Sequence, residues 1–344
     1  MSSRISIEGR RILVVSPRFF GYEKRIADGL KARGAMATLV DDRPDNDTLS
    51  KLLIRLSATL IQPKLDAYHR AEIERLKGKT FDDLLFIVPE SCSVATIRRY
   101  QMAFRSARTL LYMWDSFENK TRRNIPDFLT LFDRTFSFDR QDCRKYGMTF
   151  RPLFFTGAPV AGTVKTGKIY GFSFIGTLHS DRYRILKALG EQASKSGMDH
   201  YIYPYLPSSL HYWLYKLTKR EFWGVPRSKL QFAPLPYAEV LRILDDSAAV
   251  VDIEHPSQRG LTMRTLEVIG AGRKLITTNR NILDYPFYSP RRVLVIDRKK
   301  PKIEPLFLKA MAEPIPAHIL DEYSLNGWID DLFGPLKSNQ ETDL

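Results

Sequence analysis

The residues best equipped for chemistry fall in one stretch, 255–279 (HPSQRGLTMRTLEVIGAGRKLITTN), which reads as a strand end, a glycine-containing turn, a short helix and a further strand. Gly260 either lets the backbone approach a ligand closely or takes a positive φ. The amides of Leu261, Thr262 and Met263 then open a helix whose positive end suits a diphosphate. Arg264 adds a forked cation, and Glu267, one turn on, offers a carboxylate able to accept from ribose hydroxyls. Gly270, Ala271 and Gly272 end the helix tightly. A second group, 174–184 (FIGTLHSDRYR), ends a strand at Gly176 and Thr177 and enters a helix capped by Ser180 or Asp181. Thr177, Ser180 and Arg182 would reach the same diphosphate from the facing loop, and His179 and His255 orient loops or bind it as neutral donors.

The elements that must hold these groups follow from apolar periodicity. Short apolar runs alternate with helical-period segments, the pattern of parallel sheets covered by helices. Strands are expected at 11–17, 36–40, 83–88, 109–114, 134–138 and 150–155, with helices at 22–33, 48–77 and 93–105. A Gly, Ala, Pro and Thr-rich stretch at 156–167 marks a linker. The pattern then restarts, with strands at 170–176, 199–203, 249–253, 274–277 and 292–296 and helices at 181–195, 209–220, 237–245 and 262–270. A helical segment beyond Pro316, through Tyr323 and Trp328, is expected to pack back on the first domain, and the tail 337–344 to fray. The expected division is an N-terminal Rossmann-like domain at 1–156, a second at 168–322 and a C-terminal helix with tail at 323–344. Two such domains leave a cleft at the carboxyl edges of their sheets, where open α/β folds bind ligands.

Composition narrows the partners. The 344 residues carry a formal charge of +14, which attracts anions. No recognition-helix, zinc-finger or RNP-like pattern accompanies the basic residues, so nucleic acid ranks below phosphorylated donors and a lipid-linked acceptor. Two cysteines and six histidines show no ligand spacing, so no metal is expected. No signal-peptide core or long uncharged apolar run occurs, which points to the cytoplasm. The aromatic and basic segment 210–223 (LHYWLYKLTKREFW) reads either as a surface resting on an anionic bilayer, giving a peripheral position at the inner face of the membrane, or as an amphipathic core helix.

The stretch 255–279 resembles the donor-binding helix of GT-B glycosyltransferases. More narrowly, FFGYE (19–23), MWDS (113–116), FSFDRQDC (136–143), FRPLFF (150–155), FIGTLHSDR (174–182) and GLTMRTLE (260–267) together resemble a family of bacterial lipopolysaccharide and capsular polysaccharide biosynthesis proteins. The resemblance implies an α/β, GT-B architecture of two Rossmann-like domains facing across a cleft. It also implies transfer of a sugar from a nucleotide-diphosphate donor to a growing surface glycan, with no cofactor and no obligatory metal. Arg182 then carries the cation of the first C-terminal loop, and Leu235 and Pro236 line the base pocket. Arg18, Phe19, Phe20, Gly21 and Tyr22 face the acceptor. Glu90 or Asp115, after the third and fourth strands, takes the acceptor proton in an inverting reaction or binds acceptor in a retaining one. Many retaining members carry a second Glu eight positions before the one matched by Glu267; here Arg259 stands there. A nucleotide-sugar epimerase and a non-catalytic sugar-nucleotide-binding subunit of an assembly complex are the rival readings. A NAD-dependent oxidoreductase is disfavoured because the first turn, SPRFFGYEKR, lacks GxGxxG.

Overall fold

The computed structural model describes residues 4–43, 58–119, 125–157 and 169–335. Most of the expected linker, the start of the helix expected at 48–77 and the tail 337–344 lie outside them. The chain divides into two compact units, Met1–Thr156 with Asp321–Leu344, and Gly157–Leu320.

The first unit holds β1 (Arg11–Ser16), β2 (Met36–Asp41), β3 (Asp83–Ile87), β4 (Arg108–Met113), β5 (Arg134–Ser137) and β6 (Thr149–Phe150). They form one parallel sheet in the order β2-β1-β3-β4-β5-β6. Leu84 to Ile87 and Leu110 to Met113 are continuous apolar runs because helices cover both faces of a parallel sheet, and all eight side chains are fully buried. The helices are α1 (Tyr22–Ala32), α2 (Ala58–Arg75), α3 (Val94–Ala103) and α4 (Arg140–Tyr146). The sequence reading missed α4, which Asp139 caps and Gly147 ends at φ 68°.

The second unit holds β7 (Tyr170–Thr177), β8 (His200–Tyr205), β9 (Ser247–Asp252), β10 (Lys274–Thr277) and β11 (Val293–Val295), parallel in the order β11-β10-β9-β7-β8. Its helices are α5 (Arg182–Lys195), α6 (Ser209–Thr218), α7 (Tyr237–Asp245), α8 (Met263–Gly270) and α9 (Pro305–Lys309). Phe172, Phe174, Leu186, Leu189, Val251 and Ile276 form the heart of its core.

Two expectations need correction. The segment 150–155 is not a full strand: only Thr149–Phe150 pairs with β5, since Pro152 has no N–H for a ladder. Tyr112 OH donates to the carbonyls of Arg151 (3.2 Å) and Pro152 (3.1 Å), and Phe155 bridges to Ser324 instead. The helix beyond Pro316 is two helices, α10 (Ala317–Glu322) and α11 (Leu325–Phe333), because Ser324 starts a new one by accepting from Gly327 N. Trp328 of α11 is fully buried in the first unit, its ring 4.9 Å from those of Tyr112 and Phe154.

Each sheet reverses its strand order once, between β1 and β3 and between β7 and β9, the switch point at which open α/β sheets take ligands. Backbone strain gathers there. Among the described residues, the non-glycine positions with positive φ are Phe20 (50°), Val88 (43°) and Ser180 (45°), in the loops after β1, β3 and β7. Such conformations cost about 1–3 kcal/mol each and persist where surrounding structure fixes them, commonly at functional sites.

Candidate functional site

At the switch point of the second sheet, the loop after β7 brings His179, Ser180 and Asp181 to the start of α5, and the loop after β9 brings Glu254 and His255. The rings of His179 and His255 lie 5.3 Å apart. Burial, with Arg182 and His255 beside it, lowers His179 to about 2, so it is a neutral imidazole; burial and the nearby Lys219, Arg182 and Arg298 also lower His255. Ser257 holds the His255 ring in place, with its Oγ 2.7 Å and its N 3.3 Å from His255 Nδ1. His179 Nδ1 is 3.0 Å from Ser180 Oγ.

Asp181 occupies the N-cap of α5 but makes no capping bond, contrary to the expectation that it or Ser180 caps the helix. Its carboxylate turns to Arg298 Nη1 (2.5 Å) and Arg184 Nη2 (3.0 Å), because two cations outbid a helix amide for it. The first turn of α5 therefore presents its amides without a side-chain cap. Arg298, which sequence reasoning missed, also reaches Glu254 Oε1 (2.5 Å) and Thr278 Oγ1 (3.2 Å). Nothing in the local pattern of 297–302 marks it, since the contact joins the ends of three separate loops.

Arg182 is buried and its guanidinium serves the backbone. Nε donates to Ile253 O (2.5 Å) and Nη1 to Thr177 O (2.6 Å), clamping the carboxyl ends of β7 and β9 together. Burial lowers it to about 10, opposed by Asp252 and Glu254. Gly176 lies beneath, where an added Cβ would come 3.1 Å from Phe174 Cζ and 3.6 Å from Arg182 Nη1.

At α8, Gly260 is buried and its φ lies outside the left-handed region, so the positive-φ role weighed for it does not apply. The residue of that stretch with positive φ is Gly272, at 66°. Asn279 Nδ2 donates to the carbonyls of Arg259 and Gly260, both at 3.3 Å, which holds the turn. Leu261 is buried, and Thr262 caps the helix by accepting from Thr265 N (3.0 Å). Asp252, also missed, is buried at the end of β9 and accepts from the hydroxyls of Thr262 (2.5 Å) and Thr265 (2.6 Å). One turn on, Arg264 Nη1 pairs with Glu267 Oε2 at 3.0 Å, both half-buried. Leu235 is half-buried and Pro236 exposed, the latter accepting from Glu239 N (3.0 Å) at the start of α7.

In the first unit, Arg18 is exposed and pairs with Asp41 (2.7 Å). Phe19 and Phe20 are exposed by 43% and 64%, and their rings sit 4.9 Å apart edge to face. Gly21 has φ 77°, Tyr22 is buried, and the buried Glu23 accepts from Phe19 N (3.1 Å) to hold this loop. Glu90 is ion-paired with Arg43. Asp115 is half-buried in a loop pinned by Ser116 Oγ donating to Asp139 and Phe117 N donating to Asp142 (2.9 Å).

Neither protein-family models nor curated protein sequences match the chain. Solved structures do, over nearly its whole length. The catalytic domain of starch synthase IV from Arabidopsis thaliana, bound to ADP and acarbose, superposes with a TM-score of 0.60 at 10% identity, covering 95% of this chain and 99% of that one. The apo structure of OtsA gives 0.58 at 12%, covering 95% and 100%. Anabaena HepE in complex with UDP and glucose gives 0.58 at 10%, covering 94% and 99%. At such identities the likeness defines the fold: two parallel-sheet Rossmann-like units in tandem, matching GT-B glycosyltransferase structures.

Proposed function

We propose that this chain is a glycosyltransferase moving a sugar from a nucleotide-diphosphate donor to a hydroxyl of a surface polysaccharide or lipopolysaccharide intermediate. The observation that carries the reading is the convergence, at one switch point, of an uncapped α5 start, the His179–His255 pair and a left-handed Ser180. In this reading the diphosphate lies against the first turn of α5, His179, Ser180, His255 and the Gly260–Met263 amides. Arg182 shapes that site by holding the two strand ends together. Glu267, oriented by Arg264, accepts from the ribose hydroxyls, and Leu235 and Pro236 edge the base.

In the reaction, the bond from the anomeric carbon to the diphosphate oxygen breaks and the diphosphate leaves with the electron pair. The acceptor oxygen forms the new bond and gives up its proton. Neutral donors and helix amides stabilise the growing charge on the leaving group without a metal there. In an inverting course Glu90 or Asp115 receives the acceptor proton. Phe19 and Phe20 offer stacking surfaces for acceptor sugar rings.

We further propose a cytoplasmic location with peripheral contact at an anionic membrane. No described helix is long and apolar enough to cross one. On α6, however, Leu210, Trp213, Leu214 and Leu217 form an exposed i, i+3, i+4, i+7 stripe, continued by Trp223. Lys216, Lys219, Arg220, Arg227 and Lys229 belong to the same stretch of chain, against the single acid Glu221 there.

The deciding experiment is a thermal-shift and calorimetric screen of UDP, ADP, GDP and TDP and their sugars against the full chain. One nucleotide class should raise the midpoint, and His179→Ala and Glu267→Ala should bind it at least tenfold more weakly while remaining folded. No shift with any nucleotide, or unchanged binding in both variants, would sink the donor site. A new sugar nucleotide formed from donor alone would show an epimerase.

A further inference from the structure

A second constellation lies in the first unit, outside everything assigned above. Asp42 follows β2, Cys92 follows β3 and His69 belongs to α2; their relative exposures are 0%, 0% and 1%. One ligand atom from each lies within 4.8 Å of the other two. Cys92 Sγ is 3.6 Å from His69 Nε2 and 3.6 Å from Asp42 Oδ1. With Zn–S near 2.3 Å and Zn–N or Zn–O near 2.0–2.2 Å, a tetrahedral angle puts sulfur about 3.5 Å from nitrogen or oxygen, so these separations are those of two ligand edges.

The surrounding contacts orient each group as a ligand needs. Tyr100 OH lies 3.1 Å from His69 Nδ1, which turns Nε2 toward the cluster. Ser91 N donates to Asp42 Oδ2 (3.1 Å), which leaves Oδ1 facing inward. Ser91 Oγ stands 2.6 Å from His69 Nε2, a hydrogen-bond separation shorter than a ligand edge, and 3.0 Å from Asp42 Oδ1, so this hydroxyl gives way when a cation enters. One thiolate, one carboxylate and a neutral imidazole balance a divalent cation, so the filled site carries no net charge in the buried interior.

We propose that Asp42, His69 and Cys92 bind a structural zinc ion in the first unit, with a water that enters with the metal in the fourth position. The ion ties the ends of β2 and β3 to α2. It thereby fixes the adjoining Arg43–Glu90 pair at the carboxyl edge of the sheet. Its role is structural and independent of the sugar-transfer reading.

The test is metal analysis of the purified full chain after dialysis against zinc, together with the absorption spectrum of the cobalt-substituted protein. The expected result is one zinc per chain, tetrahedral ligand-field bands with a sulfur-to-cobalt charge-transfer band, and a lower thermal midpoint after chelation. Cys92→Ser should abolish the charge-transfer band and Asp42→Asn should weaken zinc at least tenfold. Wild-type protein that holds no stoichiometric zinc and gives no cobalt–sulfur band overturns the proposal, whatever the variants do, and leaves a purely hydrogen-bonded Ser91–His69–Asp42 network. Retention of the band in Cys92→Ser also overturns it. Nucleotide binding serves as the separate readout of the donor site, so the two ideas fail independently.

Discussion

His179 and His255, supplied by the loops after β7 and β9, face each other with ring centroids 5.3 Å apart where the second sheet reverses its strand order. Burial first, and then the cations Arg182, Arg298 and Lys219 close by, push both rings below the ordinary histidine value. In the proposed donor site the pair would serve the diphosphate as neutral hydrogen-bond donors.

That placement makes stability depend on pH in a defined direction. Burial lowers His179 from 6.5 to about 2, so below 6.5 the unfolded chain takes up a proton that the folded ring refuses. Stability from this group is intact above 6.5 and falls as pH drops through the window, by at most about 1.4 kcal/mol per pH unit. Denaturant midpoints measured near neutrality and at about pH 5 should diverge less in His179→Asn than in the wild type. Equal divergence would show that His179 titrates freely.

Arg182 should matter to stability before it matters to binding. Arg182→Met keeps the aliphatic bulk but strands the carbonyls of Thr177 and Ile253, at a cost of about 2–4 kcal/mol. Arg182→Lys should recover part of that. Unfolding curves of the two variants decide the matter, and an Arg182→Met protein within about 0.5 kcal/mol of wild type would argue against the clamp.

The α6 stripe predicts salt-sensitive adsorption to vesicles. Sedimentation with phosphatidylglycerol-containing liposomes should exceed that with neutral ones and weaken as ionic strength rises. Trp213→Ala with Leu217→Ala should reduce partitioning about tenfold or more, since both side chains are largely solvent-exposed in the fold and cost little stability there. Identical adsorption by the double variant, or no preference for anionic lipid, would remove the membrane from the account and favour a protein partner for this face.

Local sequence determined most of the elements, because parallel strands buried on both faces leave uninterrupted apolar runs such as LLFI (84–87) and LLYM (110–113), and because glycine and proline punctuate them. The strand orders β2-β1-β3 and β8-β7-β9, by contrast, belong to the tertiary structure, since right-handed crossovers allow other orders too. Which atoms the charged side chains touch was decided only in three dimensions. Arg182 reads as a free cation in FIGTLHSDR yet is spent on two backbone carbonyls, while Arg298, in an unremarkable basic loop, joins Asp181, Glu254 and Thr278. Cys92 lies 23 residues from His69 and 50 from Asp42, so no spacing rule connects them. The physical reason is common to these cases. Periodicity reports which face of an element is buried, whereas a site at a switch point is built from the ends of strands distant in sequence, and only closing the sheet brings those ends within bonding range.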